Sequence, residues 1–336
     1  MENELVAMNL SKYLLKLLGS ILSPGGRHGS LAILIYHRVL PRPDSFLRGI
    51  PDADQFNNIL GLLAAHFNVL PLGEAIERLQ SEDLPPRAVC ISFDDGYADN
   101  VEIALPILQC HELPATFFVA TGYLDGGVMW NDIVLETMRK APGSTIDLSP
   151  IGFDNYPIKT MQDRYTVAEA VIRKIKYLSP DVRQKTLDKL QKALPVEMNR
   201  QLMMSTGQLQ KLHKAGMMIG GHTVSHPILS SQDQDAACWE IKEGKRILES
   251  LIDHSVDYFA YPNGRPGEDY TYEHVQLVKD CGYKGAVTTA WGAVSEEDDL
   301  FQLPRFTPWD RGLSRYMLRL VLNYTRKGAK ANDSSA

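Results

Sequence analysis

The chain has 336 residues, 44% of them hydrophobic, with 41 acidic against 35 basic side chains and a net charge of −6. That length and apolar content can bury one large α/β core or two smaller ones. The acidic balance argues against a nucleic-acid binder, which needs a basic stripe to neutralise phosphates, so no nucleic-acid partner is expected. Cys90, Cys110, Cys238 and Cys281 stand far apart with no C-x-x-C pair. They support neither a zinc ribbon nor a disulfide framework, and read as reduced, buried small side chains in a reducing compartment.

Residues 1–30 come first, as an amphipathic helix and linker, with Leu10, Leu14, Leu17, Leu18 and Ile21 at helical spacing. Glu2 and Glu4 precede the apolar part and Lys16 interrupts it, which is not the pattern of a secretory leader. The stretch is also too short to span a bilayer. A cytoplasmic location is therefore expected. The preferred reading docks this helix on the protein body; the other lays it on a lipid surface, giving peripheral membrane contact through residues 10–22.

From residue 31 short apolar runs alternate with helical stretches. The runs are Leu31–Tyr36, Val69–Leu72, Ala88–Phe93, Thr116–Ala120, Met217–Gly220, Val256–Ala260, Gly285–Thr288 and Leu303–Phe306. Runs of this kind predict parallel strands clad by helices, and their number favours a distorted (β/α) barrel of about seven strands. No glycine-rich phosphate loop follows the first run, against a dinucleotide fold. Pro106 falls in a helix first turn. Ser231 with Gln234 predicts a capping box, ahead of a helix burying Ala237, Ile241, Leu248 and Leu251, with Glu240, Lys242, Glu243 and Lys245 around the rest.

The rhythm breaks at about residues 125–210. Pro142, Gly143, Pro150, Gly152 and Pro157 mark loop, and Thr166–Leu194 is helical with a break at Ser179-Pro180. This stretch is read as a helical insertion within a single catalytic domain of residues 31–310, offering little core of its own. Residues 311–336 form a C-terminal helix and a tail that frays from Lys327.

Two segments carry the chemistry. The first is a mostly apolar run ending in Asp94-Asp95-Gly96-Tyr97, and acids at a strand end sit on the catalytic rim of a β/α barrel. Adjacent carboxylates repel when both ionise, which a nearby cation would relieve; Asp-Gly is equally a common turn pair. The second is Gly220-Gly221-His222 to His226-Pro227, two histidines four apart after another apolar run. One carboxylate and two imidazoles would give three ligands and an open position, a catalytic arrangement.

These segments resemble the first two motifs of the polysaccharide deacetylases, the NodB-homology or carbohydrate esterase family 4 domain. Ile35-Tyr-His-Arg-Val39, Pro114-Ala-Thr-Phe-Phe-Val119, Phe259-Ala-Tyr-Pro-Asn-Gly264 and Leu303-Pro-Arg305 follow suit, over roughly residues 31–308. The resemblance implies a distorted (β/α) barrel in which Asp95, His222 and His226 hold a divalent metal, usually zinc. It implies Asp94 as general base, and Tyr261 and the Asn263 N–H at the substrate and its oxyanion. It also implies removal of N-acetyl groups from an N-acetylhexosamine-containing glycan or glycan precursor, which in a cytoplasmic setting would be lipid-linked or nucleotide-linked.

Two departures stand out. Ala260 occupies the place of the family's base-orienting arginine, and Arg305, in preference to Arg265, is expected to reach Asp94 instead. No histidine accompanies Leu303-Pro-Arg305, which leaves His37 as candidate general acid. Of Trp130, Trp291 and Trp309, Trp309 is placed nearest a sugar groove. Alternatives are a same-fold metal amidohydrolase acting on a non-sugar amide or formyl group, and an inactive glycan-binding module.

Overall fold

The computed structural model describes residues 2–307 and 310–332. Helix α1 (Glu2–Leu22) and strand β1 (Leu31–Tyr36) lead into α2 (Ala53–His66), β2 (Asn68–Val69), α3 (Leu72–Gln80) and β3 (Ala88–Phe93). A short π-helical turn (Asn100–Ala104) then runs into α4 (Leu105–Cys110), with Pro106 in its first turn, followed by β4 (Thr116–Val119). The insertion comprises α5 (Trp130–Lys140), a hairpin of β5 (Thr145–Asp147) and β6 (Asn155–Pro157), α6 (Met161–Ile175) and α7 (Pro180–Ala193). The barrel resumes with α8 (Thr206–Lys214), β7 (Met218–Gly221), α9 (Gln234–Ile252), β8 (Tyr258–Ala260), α10 (Tyr272–Asp280) and β9 (Gly285–Trp291). β10 (Leu303–Arg305) and α11 (Leu313–Asn323) complete it.

Seven strands pair in parallel in the order β1-β3-β4-β7-β8-β9-β10, while β2 pairs the first half of β3 and β4 the second. Two hydrogen bonds draw the ends together: Ile35 N–H to Phe306 O at 3.1 Å and Phe306 N–H to Ile33 O at 2.8 Å. The result is the nearly closed (β/α) barrel expected from the strand count. Every residue of β1 and β3 is buried, because one face lines the barrel interior and the other meets helices. The Gly220-Gly221 pair of β7 is sterically required: a Cβ at either position would collide with Phe118 or Tyr283.

Several local expectations are corrected. Leu72 opens α3 behind Pro71 and is not the end of a strand. The N-cap of α9 is Asp233, which accepts from Ala236 N–H at 2.8 Å, so Ser231 forms no capping box there. Residues read as loop contain the β5–β6 hairpin. The insertion owns a hydrophobic cluster in which Trp130, Val134 and Met138 of α5 pack with Val167, Val171 and Leu187, so it has more core than its polar sequence suggests. Cys110 is exposed and only Cys90 is fully buried. The segment after α11 is docked as far as residue 331: Ala293 N–H reaches Arg326 O at 3.0 Å, and Ala331 N–H reaches Gln302 Oε1 at 2.7 Å.

Helix α1 packs on α11, with Leu15, Leu18 and Leu22 against the main core. Its opposite stripe is open to solvent, where Tyr13, Leu14, Leu17 and Ile21 are all more than half exposed. Among the described residues no helix is long and apolar enough to cross a membrane.

Candidate active site

The chemical residues collect at the carboxyl ends of the strands, where β/α barrels carry their reactive groups. Asp94 and Asp95 follow β3, His222 follows β7, His37 follows β1, Asn263 lies just beyond β8, and Arg305 ends β10. All of them except the buried Arg305 line a cavity of about 620 Å³, whose further walls include Trp291, Thr289, Asn131, Lys176 and Arg265.

Asp94 and Asp95 are neighbours that point to different tasks. Asp94 continues the line of β3, its N–H bonded to Tyr36 O at 2.9 Å. Both its oxygens accept from Arg305, Oδ1 from Nη1 and Oδ2 from Nη2, each at 2.7 Å. Arg305 is itself completely buried and braced, with Nε donating to Thr288 O at 2.8 Å and Nη1 to Ser92 Oγ at 3.1 Å. Burial works to raise the Asp94 carboxyl, but the charge and hydrogen bonds of Arg305 outweigh it and hold the group below the usual carboxylate range.

Asp95 breaks from that line because its backbone is left-handed, at φ 77°, followed by Gly96 at φ 90°. Its Oδ1 lies 3.4 Å from Nε2 of His222 and 3.4 Å from Nε2 of His226. Donors about 2.1 Å from a tetrahedral ion stand about 3.4 Å apart, so this spacing fits a divalent metal such as zinc. Donor chemistry agrees. His222 Nδ1 contacts Ala260 O at 2.7 Å, which fixes the ring and turns the Nε2 lone pair inward. Burial pushes His226 down to about 3, keeping it neutral, whereas at His222 the Asp95 hydrogen bond and the two carboxylates outweigh burial and hold the imidazole above its ordinary value, so a bound cation would have to displace that proton. These three residues are the one group among the described residues whose donor atoms converge closely enough to hold a metal.

Holding two imidazoles on one tight loop costs backbone strain. Thr223 and His226 sit at φ 66° and 51°, a conformation expensive for residues with side chains. Glu240 of α9 pins the loop, its Oε2 accepting from the N–H groups of Val224 and Ser225, each at 2.8 Å. The sequence reading left Glu240 on the solvent face. Yet it lies three residues after Ala237 and four before Gly244, both buried, and that spacing was the available signal. Asn100 and Asp99 were also missed. Asn100 Nδ2 donates to His37 O at 2.9 Å and Asp99 pairs with Arg38 Nε at 2.7 Å, together fixing the segment that presents His37.

The remaining candidates divide. His37 is exposed on the cavity wall. Asn263 lines the cavity with φ 57°, and its carbonyl accepts from Thr289 Oγ1 at 2.5 Å. Arg265 reaches Glu268 at 3.4 Å and makes no contact with Asp94. Tyr261 is a correction: its side chain is fully buried, stacks on Tyr270 at 4.0 Å and donates to Phe301 O at 3.0 Å, which leaves nothing for a substrate. Trp130 is likewise core of the insertion, and Trp309 lies outside the described residues.

Asp132 of α5 is 3% exposed, facing Tyr97, Arg38, Asp95 and Glu136. Burial lifts its carboxyl to about 7, against the opposing Arg38 charge. The folded chain therefore keeps a proton that the unfolded chain loses near pH 4, and stability falls as pH rises from about 4 to about 7. Asp132→Asn should remove that slope. Thermal melts should show the parent losing on the order of 1–4 kcal/mol against the variant across this window; parallel curves would mean that Asp132 ionises normally.

A buried arginine-gripped carboxylate beside a Asp-His-His cluster, on the rim of a β/α barrel, defines a hydrolase-type site. Residues 81–175 and 183–286 match the polysaccharide deacetylase family model, and the chain belongs to that family. YxkH of Bacillus subtilis (strain 168), named as a polysaccharide deacetylase, is 21% identical over 276 residues, covering 82% of this chain and 70% of that one. Among solved structures, the Streptococcus pyogenes deacetylase PplD, in complex with acetate, superposes with a TM-score of 0.59 at 20% identity, over 87% of this chain and 98% of PplD. IcaB from Ammonifex degensii gives 0.53 at 17% identity, over 86% and 97%. At these identities the superpositions speak to the barrel alone.

Proposed function

We propose that the chain is a zinc-dependent N-deacetylase of an N-acetylhexosamine-containing glycan or glycan precursor. The observation that carries this reading is the division of labour between Asp94, locked in a two-pronged pair with Arg305, and Asp95, turned towards two imidazoles. Asp95, His222 and His226 would hold the ion, which supplies an acidified water and a polarised acyl carbonyl. Asp94 is the general base: ionised and oriented by Arg305, it takes the proton of the attacking water. The N–H of Asn263 stabilises the developing oxyanion. His37, on the open wall, gives a proton to the departing amine nitrogen.

The four unpaired cysteines fit a cytoplasmic setting, where lipid-linked precursors would be met. The apolar stripe of α1 supports peripheral lipid contact there. Acetate release from N-acetylated oligosaccharides, with formate followed in parallel, tests the reading. Acetate should appear, cease on chelation and return with zinc; formate alone, or acetate unaffected by chelation, overturns it. A lipid-linked N-acetylhexosamine in vesicles should be processed faster than its soluble form, and equal rates would remove the membrane from the proposal.

A further inference from the structure

Two cysteines far apart in sequence meet on the barrel's outer layer. Cys238 lies on α9 and Cys281 caps the end of α10, and the two helices pack together. Both side chains are half-buried against the main core, and their thiols hydrogen-bond each other. Cys90, by contrast, is sealed in β3 and Cys110 stands exposed.

The meeting is enforced by a turn clamped onto one face of α9. Cys238, Ile241 and Lys245 share that face at helical spacing. Lys245 Nζ donates to Gly282 O at 2.7 Å and sits 4.4 Å over the Tyr283 ring. The Tyr283 hydroxyl donates to Ile241 O at 3.4 Å. The turn Cys281-Gly282-Tyr283 is therefore held one and two helical turns along from Cys238.

Both sides of this contact support the loop that carries His222 and His226. Glu240, two residues after Cys238, accepts from the N–H groups of Val224 and Ser225. The Tyr283 ring fills the space beside Gly221, next to His222. Burial pushes the Cys281 thiol up to about 11, against the charges of Lys242 and Lys245, so the resting pair is a dithiol. In a reducing compartment, a disulfide is characteristically transient and redox-sensing.

We propose that Cys238 and Cys281 form a reversible redox site, which a peroxide converts to a disulfide that staples α9 to the turn after α10 and stiffens the loop between His222 and His226. The Cys238 thiolate attacks one peroxide oxygen, the O–O bond breaks, and a sulfenic acid and hydroxide result; the hydroxide takes up the displaced proton as water. The Cys281 sulfur then attacks the Cys238 sulfur, and its proton leaves with the hydroxyl as a second water. The two thiols lose two electrons, the peroxide gains them, and a small dithiol reverses the change. The proposal stands apart from the deacetylase reading and is tested without substrate.

The test treats the full chain carrying Cys110→Ser, which removes the exposed thiol, with hydrogen peroxide. The intact mass should fall by two hydrogens, and peptide mapping should find Cys238 joined to Cys281. A disulfide closing a loop of about 40 residues should raise the melting temperature by about 5 °C. Amide exchange at Val224 and Ser225 should slow about threefold or more. Dithiothreitol should reverse every change, and a further Cys238→Ser or Cys281→Ser should prevent them; Cys238→Ala serves should the serines misfold. Oxygen added to either sulfur without joining them, or a bond from either to a second chain, overturns the site. A joined pair that leaves melting and exchange unchanged overturns the staple.

Discussion

Arg305→Ala is expected to lower turnover by about 10²–10⁴-fold, the usual worth of a positioned general base. The substitution strands a buried carboxylate. Asp94 is 2% exposed and Arg305 is 0% exposed, and removing one partner of such a pair typically costs about 3–5 kcal/mol of stability. With the guanidinium gone, burial dominates and the Asp94 carboxyl rises, so it holds its proton when it should be accepting one. Arg305→Lys should recover part of the stability and little of the rate. A lysine can meet one oxygen, but it cannot hold Oδ1 and Oδ2 in one plane while also bonding Thr288 O. Should Arg305→Ala fail to fold, the double variant Arg305→Ala with Asp94→Asn removes both charges; it should regain stability while remaining inactive. Normal turnover in any of these proteins would show that the pair is structural.

The barrel was legible because its signals are redundant. Unbroken apolar runs such as Ala88–Phe93 can be buried on two faces only inside a clad sheet, and several strands ended where the runs did. The cluster of Asp95, His222 and His226 was legible for a related reason: acids and histidines directly after such runs leave the strand on the same rim. Arg305 followed from the resemblance: the family's base-orienting arginine is replaced by Ala260, and Arg305, at the end of β10, was preferred to Arg265 as the side chain to reach Asp94. The insertion was less readable because its apolar residues are spread thinly over short helices and a hairpin between residues 130 and 190, and are joined by Phe46 from the loop after β1. Tyr261 was misplaced because the resemblance locates a motif along the chain and not the direction of each side chain in it; stacking on Tyr270 holds this ring in the core. Glu240 was lost to the assumption that a charged residue faces solvent, when two loop N–H groups were waiting for it.

The adjacent aspartates yield the sharpest separation of effects. Asp94→Asn should retain metal at the parent stoichiometry and lose turnover by about 10²–10⁴-fold, because an amide cannot accept the water proton. Arg305 would not be abandoned, since Ser92 Oγ at 3.1 Å and Thr288 O at 2.8 Å remain as acceptors. Asp95→Ala should behave oppositely, losing metal first and activity as a consequence. The reason lies in the backbone: the left-handed turn at Asp95 sends its carboxylate to within 3.4 Å of both imidazoles, while Asp94 faces Arg305, which takes one lone pair of each oxygen and leaves the others to accept a proton. Metal content by elemental analysis, read beside acetate release per bound metal, distinguishes the two. If Asp94→Asn emptied the site and kept its rate per metal, the ligand and the base would have to change places, and the arginine pair would become the support of a ligand.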